Sequence, residues 1–281
     1  MTANPMTAGY PYLDRLPKFE RDGIPLLTGF RRETIARSVV LAVRDPLTVG
    51  EGAGEDAIAS ELENAELVAH TGLFTTFTGT YRGVPVSVVS GGSGSPEAEL
   101  ALMDLFNHTD CDTVIRIGGC GGWGKDVRVG DVVISSGAVR DEGMTKAHVK
   151  VEYPAVADWR VVAAMVAEAE ALGAPHHVGV TRTGDSEYTG WGKPGPGGYF
   201  QEEHRQIIDY WHRAGILNTD RESAAVLTLA ALYGRRGGSV CSVGDNVVTG
   251  EQHRSGSGQN FAIRVGLGAL ARLGAQAGPA A

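Results

Sequence analysis

Short runs of β-branched and aliphatic residues recur along the chain and predict the buried strands of a sheet. They lie at residues 38–43, 114–117, 178–181 and 239–243. Apolar runs of this length are typical of fully buried strands. Because they alternate with segments of helical spacing, the pattern predicts an α/β layer fold with a mixed, partly parallel sheet.

Apolar residues at helix-like spacing predict the helices between these strands. In the N-terminal half, Ile58, Leu62, Ala65 and Val68 indicate a helix over residues 55–69. Further helices are predicted at residues 97–107, 159–172, 223–233 and 260–273. Two apolar runs, 73–81 and 84–89, flank Arg82-Gly83 and predict a β-hairpin.

The chain divides into an arm and one domain. Residues 1–37 are polar and contain four prolines, and they predict an N-terminal arm. Residues 38–275 show no internal repeat and no linker, so they predict a single domain. Within it, residues 189–200 contain five glycines and two prolines, which predicts a mobile flap.

Composition and charge narrow the class of protein. The 281 residues include 42% hydrophobic and 21% charged residues, which is ordinary for a globular domain. A net charge of -8 argues against nucleic acid or an anionic membrane as a partner. The three cysteines lack metal-ligand spacing, so no metal site is predicted and a reducing, cytoplasmic setting is expected. No apolar run approaches the ~20 residues that span a bilayer.

Residues 113–136 contain the most informative pattern. A buried strand that includes Arg116 leads into five glycines within residues 118–124, and a second strand follows Val129-Gly-Asp131. We interpret the glycine cluster as a turn. An arginine beside glycine backbone N–H groups can bind an anion, so this turn is predicted to form the floor of a site.

The motifs of this segment resemble those of a known family. Arg116-Ile-Gly-Gly-Cys-Gly121 followed by Val129-Gly-Asp131 resembles the R-I-G-x-x-G and V-G-D pattern of the nucleoside phosphorylase family, uridine phosphorylase branch. Three further segments resemble the same branch, and a fourth resembles the hexameric purine branch. These are residues 152–158, 177–181 and 218–224, and residues 242–246 respectively.

The resemblance covers residues 38–273 and implies both a fold and a reaction. The fold is a three-layer α/β/α sandwich with a mixed central sheet. The assembly is a homo-oligomer, a dimer or a trimer of dimers (a homohexamer), with active sites shared between subunits. The reaction is cleavage of an N-glycosidic bond through a transition state that resembles an oxocarbenium ion, as in glycosidases.

Two acidic residues take catalytic roles by this resemblance. Glu222 matches the glutamate that binds the ribose hydroxyls, although a glutamate at a helix start is also favoured by the helix dipole. Asp245 matches the aspartate that protonates a purine base at N7, although an Asp-Asn pair also suits a turn. A carboxylic acid can donate this proton near neutral pH only if burial raises its pKa.

The nucleoside site departs from the uridine phosphorylase pattern. The pyrimidine-reading pair of that branch falls at about Trp191 and Lys193, and Glu187 replaces an aromatic residue. Trp191 is suited to stacking on a base. We assign predicted substrate-binding roles to Gly119, Cys120, Gly121, Glu187, Trp191, Lys193, Asp220 and Arg221. No histidine partner for Cys120 is apparent, so nucleophilic catalysis is not predicted.

The phosphate site departs further. The family's phosphate arginines align with Thr48 and Gly72, and its hydroxyl residue aligns with Gly119. Arg116 remains, as does the glycine-serine loop, residues 91–94, with Gly92 and Ser93 as candidate anion ligands. Arg44 and Arg221 stand where the family has uncharged residues. Each is either a replacement anion ligand or part of a salt bridge.

Three functions remain open, in this order. The first is phosphorolysis of a nucleoside, or its reverse, with Arg116, Glu222 and Asp245 as catalytic residues and phosphate as co-substrate. The second is hydrolysis, because two phosphate arginines are missing. The third is non-catalytic nucleoside binding. The predicted partner is a small-molecule nucleoside, and no cofactor is predicted.

Overall fold

The computed structural model of the protein describes residues 7, 9–43 and 57–276. The strands within these ranges are β1 (Glu20–Arg21), β2 (Ile24–Pro25), β3 (Ser38–Ala42), β4 (Glu63–His70), β5 (Phe74–Tyr81), β6 (Val84–Gly91), β7 (Thr113–Gly122), β8 (Val132–Asp141), β9 (Ala155–Val156), β10 (His176–Gly184), β11 (Asn218–Asp220) and β12 (Arg236–Asn246). The helices are α1 (Ser95–His108), α2 (Met144–His148), α3 (Trp159–Leu172), α4 (Glu202–Arg213), α5 (Ser223–Leu232) and α6 (Gln259–Gln276). None of these helices is long and apolar enough to cross a bilayer.

Ten strands form one mixed sheet in the order β11-β10-β8-β12-β7-β3-β6-β5-β4, with β9 paired to β8. β7 is parallel to β3 and β12, whereas β12 is antiparallel to β8. β11 pairs with β10 and also with β7, so β11, β10, β8, β12 and β7 close into a ring. This closure places Gly121 opposite both Thr219 and Asp245.

Helices cover both faces of the sheet. Successive residues of a strand point to opposite faces, so each strand contributes to the core on both sides. In β3, Val39 and Leu41 pack in one core cluster with residues of α1 and α5. The intervening Val40 and Ala42 pack in a second cluster with residues of α3 and α6. The predicted three-layer α/β/α sandwich with a mixed sheet is therefore confirmed.

The predicted helix over residues 55–69 is wrong for the part that the structure describes. A 3-10 turn at Ala59–Glu61 leads instead into strand β4. Ile58 and Leu62 are buried as the periodicity suggested, but β4 pairs with β5 through register partners such as Leu67 and Phe77. This pairing prevails over a weak helical pattern at the edge of the sheet.

The glycine cluster is also not the turn that the sequence predicted. Strand β7 continues to Gly122, and the chain turns only between β7 and β8. The glycines allow close neighbours along the strand. A Cβ at Gly118 would lie 2.8 Å from Nη1 of Arg116, and one at Gly122 would lie 2.9 Å from Nδ2 of Asn246. The extra strand length positions the Arg116 side chain and the end of β7 at the same cavity.

The predicted helices at residues 97–107, 159–172, 223–233 and 260–273 are confirmed as α1, α3, α5 and α6, with shifts of at most a few residues at their ends. The hairpin about Arg82-Gly83 is confirmed as β5 and β6. Helix α4 was not predicted. Its apolar face is short and only partly buried, and Ile207 and Ile208 of that face lie against Gly192 of the flap.

The core beneath the sheet gives a prediction for stability. Leu270 of α6 is fully buried in the cluster on the α3 and α6 side. Truncation by the substitution Leu270→Ala leaves a cavity and is expected to lower the free energy of unfolding by about 2–5 kcal/mol. Equilibrium urea unfolding measures this change. The control Leu67→Ala, at a side chain that is 57% exposed, should change it by less than about 0.5 kcal/mol. Equal losses in both variants would contradict the assigned core.

Candidate active site

A cavity of about 470 Å³ opens where strands β7, β11 and β12 end. Clefts beyond the carboxyl ends of strands are the usual ligand sites of α/β sheets. Twelve of the predicted site residues line the cavity together. They are Ser93, Arg116, Gly119, Cys120, Gly121, Glu187, Trp191, Lys193, Asp220, Arg221, Glu222 and Asp245.

Arg116 and Glu222 form a buried ion pair at this cavity. Nη2 and Nε of Arg116 donate to Oε2 of Glu222 at 2.6 and 3.0 Å. Nε also lies 3.2 Å from Oδ2 of Asp220, and Nη1 donates to Sγ of Cys241 at 2.8 Å. Both side chains are almost fully buried, with Arg116 3% and Glu222 2% exposed. Each nitrogen of the Arg116 guanidinium is thus engaged by a protein group, which leaves it few donors for an anion in the cavity.

Glu222 stands at the start of α5 without capping it. Its residue occupies the N-cap position, but its side chain makes no cap hydrogen bond. Asp220 performs that task, since its carboxylate accepts hydrogen bonds from N–H and Oγ of Ser223. Thr183 also donates to Asp220, at 2.7 Å. Asp220 is therefore largely occupied by protein donors, whereas Glu222 is directed to the cavity.

The carboxylate of Glu222 retains little free acceptor capacity. Its Oε1 accepts a 2.6 Å hydrogen bond from N–H of Gly94, in the loop before α1. With the two bonds from Arg116, three of roughly four lone-pair positions are used. Burial raises the pKa of Glu222, and the attraction of Arg116 opposes that rise. One further strong hydrogen bond can form, at Oε1.

Asp245 projects from the end of β12 against Gly121 of β7. A Cβ at Gly121 would lie 3.3 Å from Oδ1 of Asp245, so only glycine fits this contact without displacement. Nδ1 of His253 lies 3.8 Å from Oδ2. Burial raises the pKa of Asp245 above its ordinary value, while the charges of His253 and Lys193 lower it in part. Asp245 therefore retains its proton to a higher pH than an exposed aspartate does.

The neighbouring Asn246, and not Asp245, forms the turn that follows β12. Its Oδ1 accepts from N–H of Val248 and Thr249, at 2.9 and 3.2 Å. Its Nδ2 donates to the carbonyl oxygens of Gly124 and Val127. The turn chemistry of the Asp-Asn pair is accordingly supplied by the asparagine alone, and the aspartate is left to face the cavity.

The predicted flap contributes Trp191 and Lys193 to the cavity wall. Two short 3-10 turns, Thr189–Trp191 and Pro196–Gly198, form its backbone. The buried Arg182 fixes it to the sheet, donating to the carbonyl of Gly190 at 2.9 Å and to Asp141. The ammonium of Lys193 lies 5.0 Å from the centre of the Trp191 ring. This cation–π contact places a positive charge near Asp245.

Cys120 lines the cavity but is not an activated thiol. Its Sγ donates to the carbonyl oxygen of Ser242 at 3.4 Å. Burial raises the pKa of this thiol well above its usual range. A thiolate, the reactive form, is therefore disfavoured, in agreement with the prediction that no nucleophilic cysteine is used.

Arg221 meets Ser93 and Glu187 on the wall of the cavity. Its Nη1 donates to Oγ of Ser93 at 3.0 Å and to Oε1 of Glu187 at 3.3 Å. The guanidinium lies against Gly94, where a Cβ would come within 3.1 Å of Nη2. The sequence left two roles open for Arg221, an anion ligand and a salt bridge. In the structure Arg221 forms a salt bridge with Glu187 and also lines the cavity.

Two candidate anion ligands are not placed at the cavity. Arg44 lies outside the described residues, as does Thr48. Gly92 is not part of the wall, and a Cβ there would lie 2.8 Å from Cβ of Glu97.

Sequence reasoning missed seven residues of the wall, namely Val43, Ser242, Gly244, His253, Arg254, Gly256 and Ser257. The signal for His253, Arg254, Gly256 and Ser257 was a loop of glycine, serine and two basic residues that follows the strand end carrying Asp245, whereas Val43, Ser242 and Gly244 lie at the ends of β3 and β12.

Comparison with known proteins agrees with this geometry. The model of the phosphorylase superfamily matches residues 43–270. A uridine phosphorylase of Thermococcus kodakarensis is 42% identical over 71% of this chain and 72% of its own. A guanosine phosphorylase of Halorubrum lacusprofundi is 31% identical over 80% and 91% respectively, and a uridine phosphorylase of Treponema pallidum is 34% identical over 82% and 89%. The chain therefore belongs to the phosphorylase superfamily and is an enzyme of the nucleoside phosphorylase family predicted from its motifs.

Proposed function

We propose that this enzyme cleaves the N-glycosidic bond of a nucleoside by phosphorolysis, giving a free base and a sugar 1-phosphate. The observation that supports this most is that Glu222, bound by Arg116, and Asp245, with its raised pKa, line one cavity. The relatives are named phosphorylases of uridine and of guanosine, so their names do not decide between pyrimidine and purine.

Glu222 orients the sugar in this proposal. A ribose hydroxyl donates to Oε1, the oxygen that receives only the Gly94 N–H bond. Arg116, which Asp220 also contacts, and the N–H of Gly94 hold the carboxylate in place, so little reorganisation accompanies binding. Fixing the sugar in this way aligns C1′ with the attacking group and with the leaving base.

Asp245 supplies the proton for the leaving base. As the C1′–N bond breaks, its electron pair moves to the base nitrogen system, and the protonated Asp245 donates a proton to the base. An oxygen of phosphate forms the new bond to C1′. General acid assistance of this kind contributes about 10²–10⁴-fold to a rate. Asp245 is the acid of purine-cleaving relatives in the resemblance above, so a purine or modified base is favoured.

Hydrolysis is the second candidate, and one structural observation favours it. Each nitrogen of Arg116 already contacts Glu222, Asp220 or Cys241, which weakens the one phosphate arginine retained in the motif. With water as the attacking group, the same two acids would serve unchanged. We rank phosphorolysis before hydrolysis because the relatives are named phosphorylases.

Phosphate dependence separates the two reactions. Base release from a panel of purine and pyrimidine nucleosides is expected only in phosphate buffer, with a sugar 1-phosphate detected by mass. The Glu222→Ala variant, measured beside it, should lose at least about 10-fold in kcat/KM, because a hydrogen bond to a charged group is removed. Equal rates with and without phosphate would establish hydrolysis. No base release from any nucleoside would leave only the binding function.

The pH dependence tests Asp245. Because the acid must be protonated, kcat should fall as pH rises through the pKa of Asp245, which burial has raised. The Asp245→Asn variant should lose this fall and retain a rate lower by about 10²–10⁴-fold. In Lys193→Met the fall should shift to higher pH, since the Lys193 charge lowers the pKa of Asp245. A descending limb that persists unchanged in Asp245→Asn would assign the proton to another group.

A further inference from the structure

Arg221 has hydrogen-bonding capacity that the described residues do not use. Its Nη1 donates to Ser93 and Glu187, whereas its Nε is buried and has no acceptor among the described residues. Among the described residues, Nη2 likewise makes no hydrogen bond. A buried unpaired donor is costly, and in native proteins such a donor usually has an acceptor. Nη2 is therefore the donor of Arg221 that remains for a ligand, because the buried Nε has no open approach from the cavity.

A guanidinium group has the geometry that oxyanions require. Nε and Nη2 are the two nitrogens with which Arg116 grips Glu222 in this same structure. This fork matches two oxygens of a carboxylate or a phosphate. Arg221 differs from Arg116 in that its Nη2 makes no hydrogen bond among the described residues, whereas its Nε is buried against Gly94. Arg221 is thus a cation of the cavity wall, beside Lys193 and Arg254, that can still donate to an anionic ligand.

The surroundings of Arg221 complete a small polar subsite. Ser93 offers a hydroxyl that can turn from the arginine to a ligand, since a hydroxyl both donates and accepts. The guanidinium lies on Gly94, whose N–H binds Glu222, so the subsite adjoins the carboxylate proposed to hold the sugar. The positive φ of Gly94, 90°, permits this approach. Any substrate on Glu222 would accordingly lie beside Arg221.

Glu187 competes with an anionic ligand for binding to Arg221. It lies 3.3 Å from Nη1 and is about half exposed, at 45% of its side chain, whereas the Arg221 side chain is 28% exposed. A pair this accessible to solvent contributes little to stability and is easily exchanged. A phosphate, with a larger charge and more acceptor oxygens, would replace it at small cost.

We propose that Arg221 and Ser93 form the oxyanion subsite of the cavity, and that Glu187 occupies Arg221 until a phosphoryl group displaces it. The phosphoryl group belongs either to inorganic phosphate or to the sugar of the substrate. The placement beside the sugar rests on the proposed function, but the binding of phosphate is measured without any nucleoside. Failure of catalysis and failure of this subsite are therefore distinguishable.

The first measurement is calorimetric titration of the intact protein with inorganic phosphate. Arg221→Met should weaken binding by about 10- to 100-fold, because a charge-assisted hydrogen-bonding pair is removed. Glu187→Gln should tighten it several-fold, because the competing carboxylate is lost. The matched control is Arg213→Met, which removes the same charge from a side chain that is 78% exposed on α4, and it should leave binding unchanged.

The second measurement compares a nucleoside with its 5′-monophosphate. If the subsite takes a phosphate on the sugar, the wild-type protein prefers the monophosphate, and Arg221→Met abolishes that preference while its affinity for inorganic phosphate is unchanged. Either pattern supports the subsite and identifies the source of its ligand. Arg221→Lys, which keeps the charge but not the fork, should give an intermediate loss and guards against misfolding as the cause.

The proposal is overturned if Arg221→Met, folded by its thermal transition, retains both its affinity for inorganic phosphate and any preference for the monophosphate. It is equally overturned if the wild-type protein binds neither phosphate nor the monophosphate in preference to the nucleoside. Base release by the wild-type enzyme in either case would show that the proposed function stands without this subsite.

Discussion

The buried pair between Arg116 and Glu222 is the interaction on which the rest of the site depends. Removing two charges from water is costly, and the pair is tolerated because each partner is held by further hydrogen bonds. Arg116 is also bound by Asp220 and Cys241, and Glu222 by the N–H of Gly94. Breaking such a pair by removing one partner typically costs about 3–5 kcal/mol. The pair therefore fixes the carboxylate with little freedom to move.

The closure of the sheet brings the residues of this pair together. Arg116 comes from β7 and Asp220 from β11, and Glu222 follows at the start of α5. The antiparallel contact of β11 with β7 brings these residues within hydrogen-bonding distance, and the parallel contact of β12 with β7 adds Asp245. The glycines of β7 leave the space for the side chains of Arg116 and Asp245. The strand pairings that close the sheet therefore also bring the site residues together.

Much of the site was predictable because its residues lie in short motifs at strand ends, and the parallel strands β7 and β12 end at the same edge of the sheet. What was not predictable depends on side chains far apart in sequence. That Arg116 is already engaged follows from the positions of Asp220 and Cys241, and that Arg221 pairs with Glu187 follows from the path of the flap. The spacing of the motifs in the sequence does not indicate either set of contacts.

The errors in the fold have a similar origin. Strand β4 has helix-like spacing because an edge strand with mostly exposed residues has no strict alternation to maintain. The glycines after Arg116 suggested a turn because glycine marks turns more often than crowded strands. In both cases the deciding factor was a neighbouring element, β5 for the first and β12 for the second, that sequence periodicity does not report.

The central claim is that Glu222 receives a ribose hydroxyl, and a binding cycle tests it most directly. The affinity of a ribonucleoside and of its 2′,3′-dideoxy analogue is measured for the wild-type protein and for Glu222→Ala. We predict that the wild-type protein prefers the ribonucleoside by about 10- to 100-fold, as expected for a hydrogen bond to a charged group, and that the variant has lost this preference. An equal preference in both proteins would contradict the account, because the hydroxyls would then be bound elsewhere.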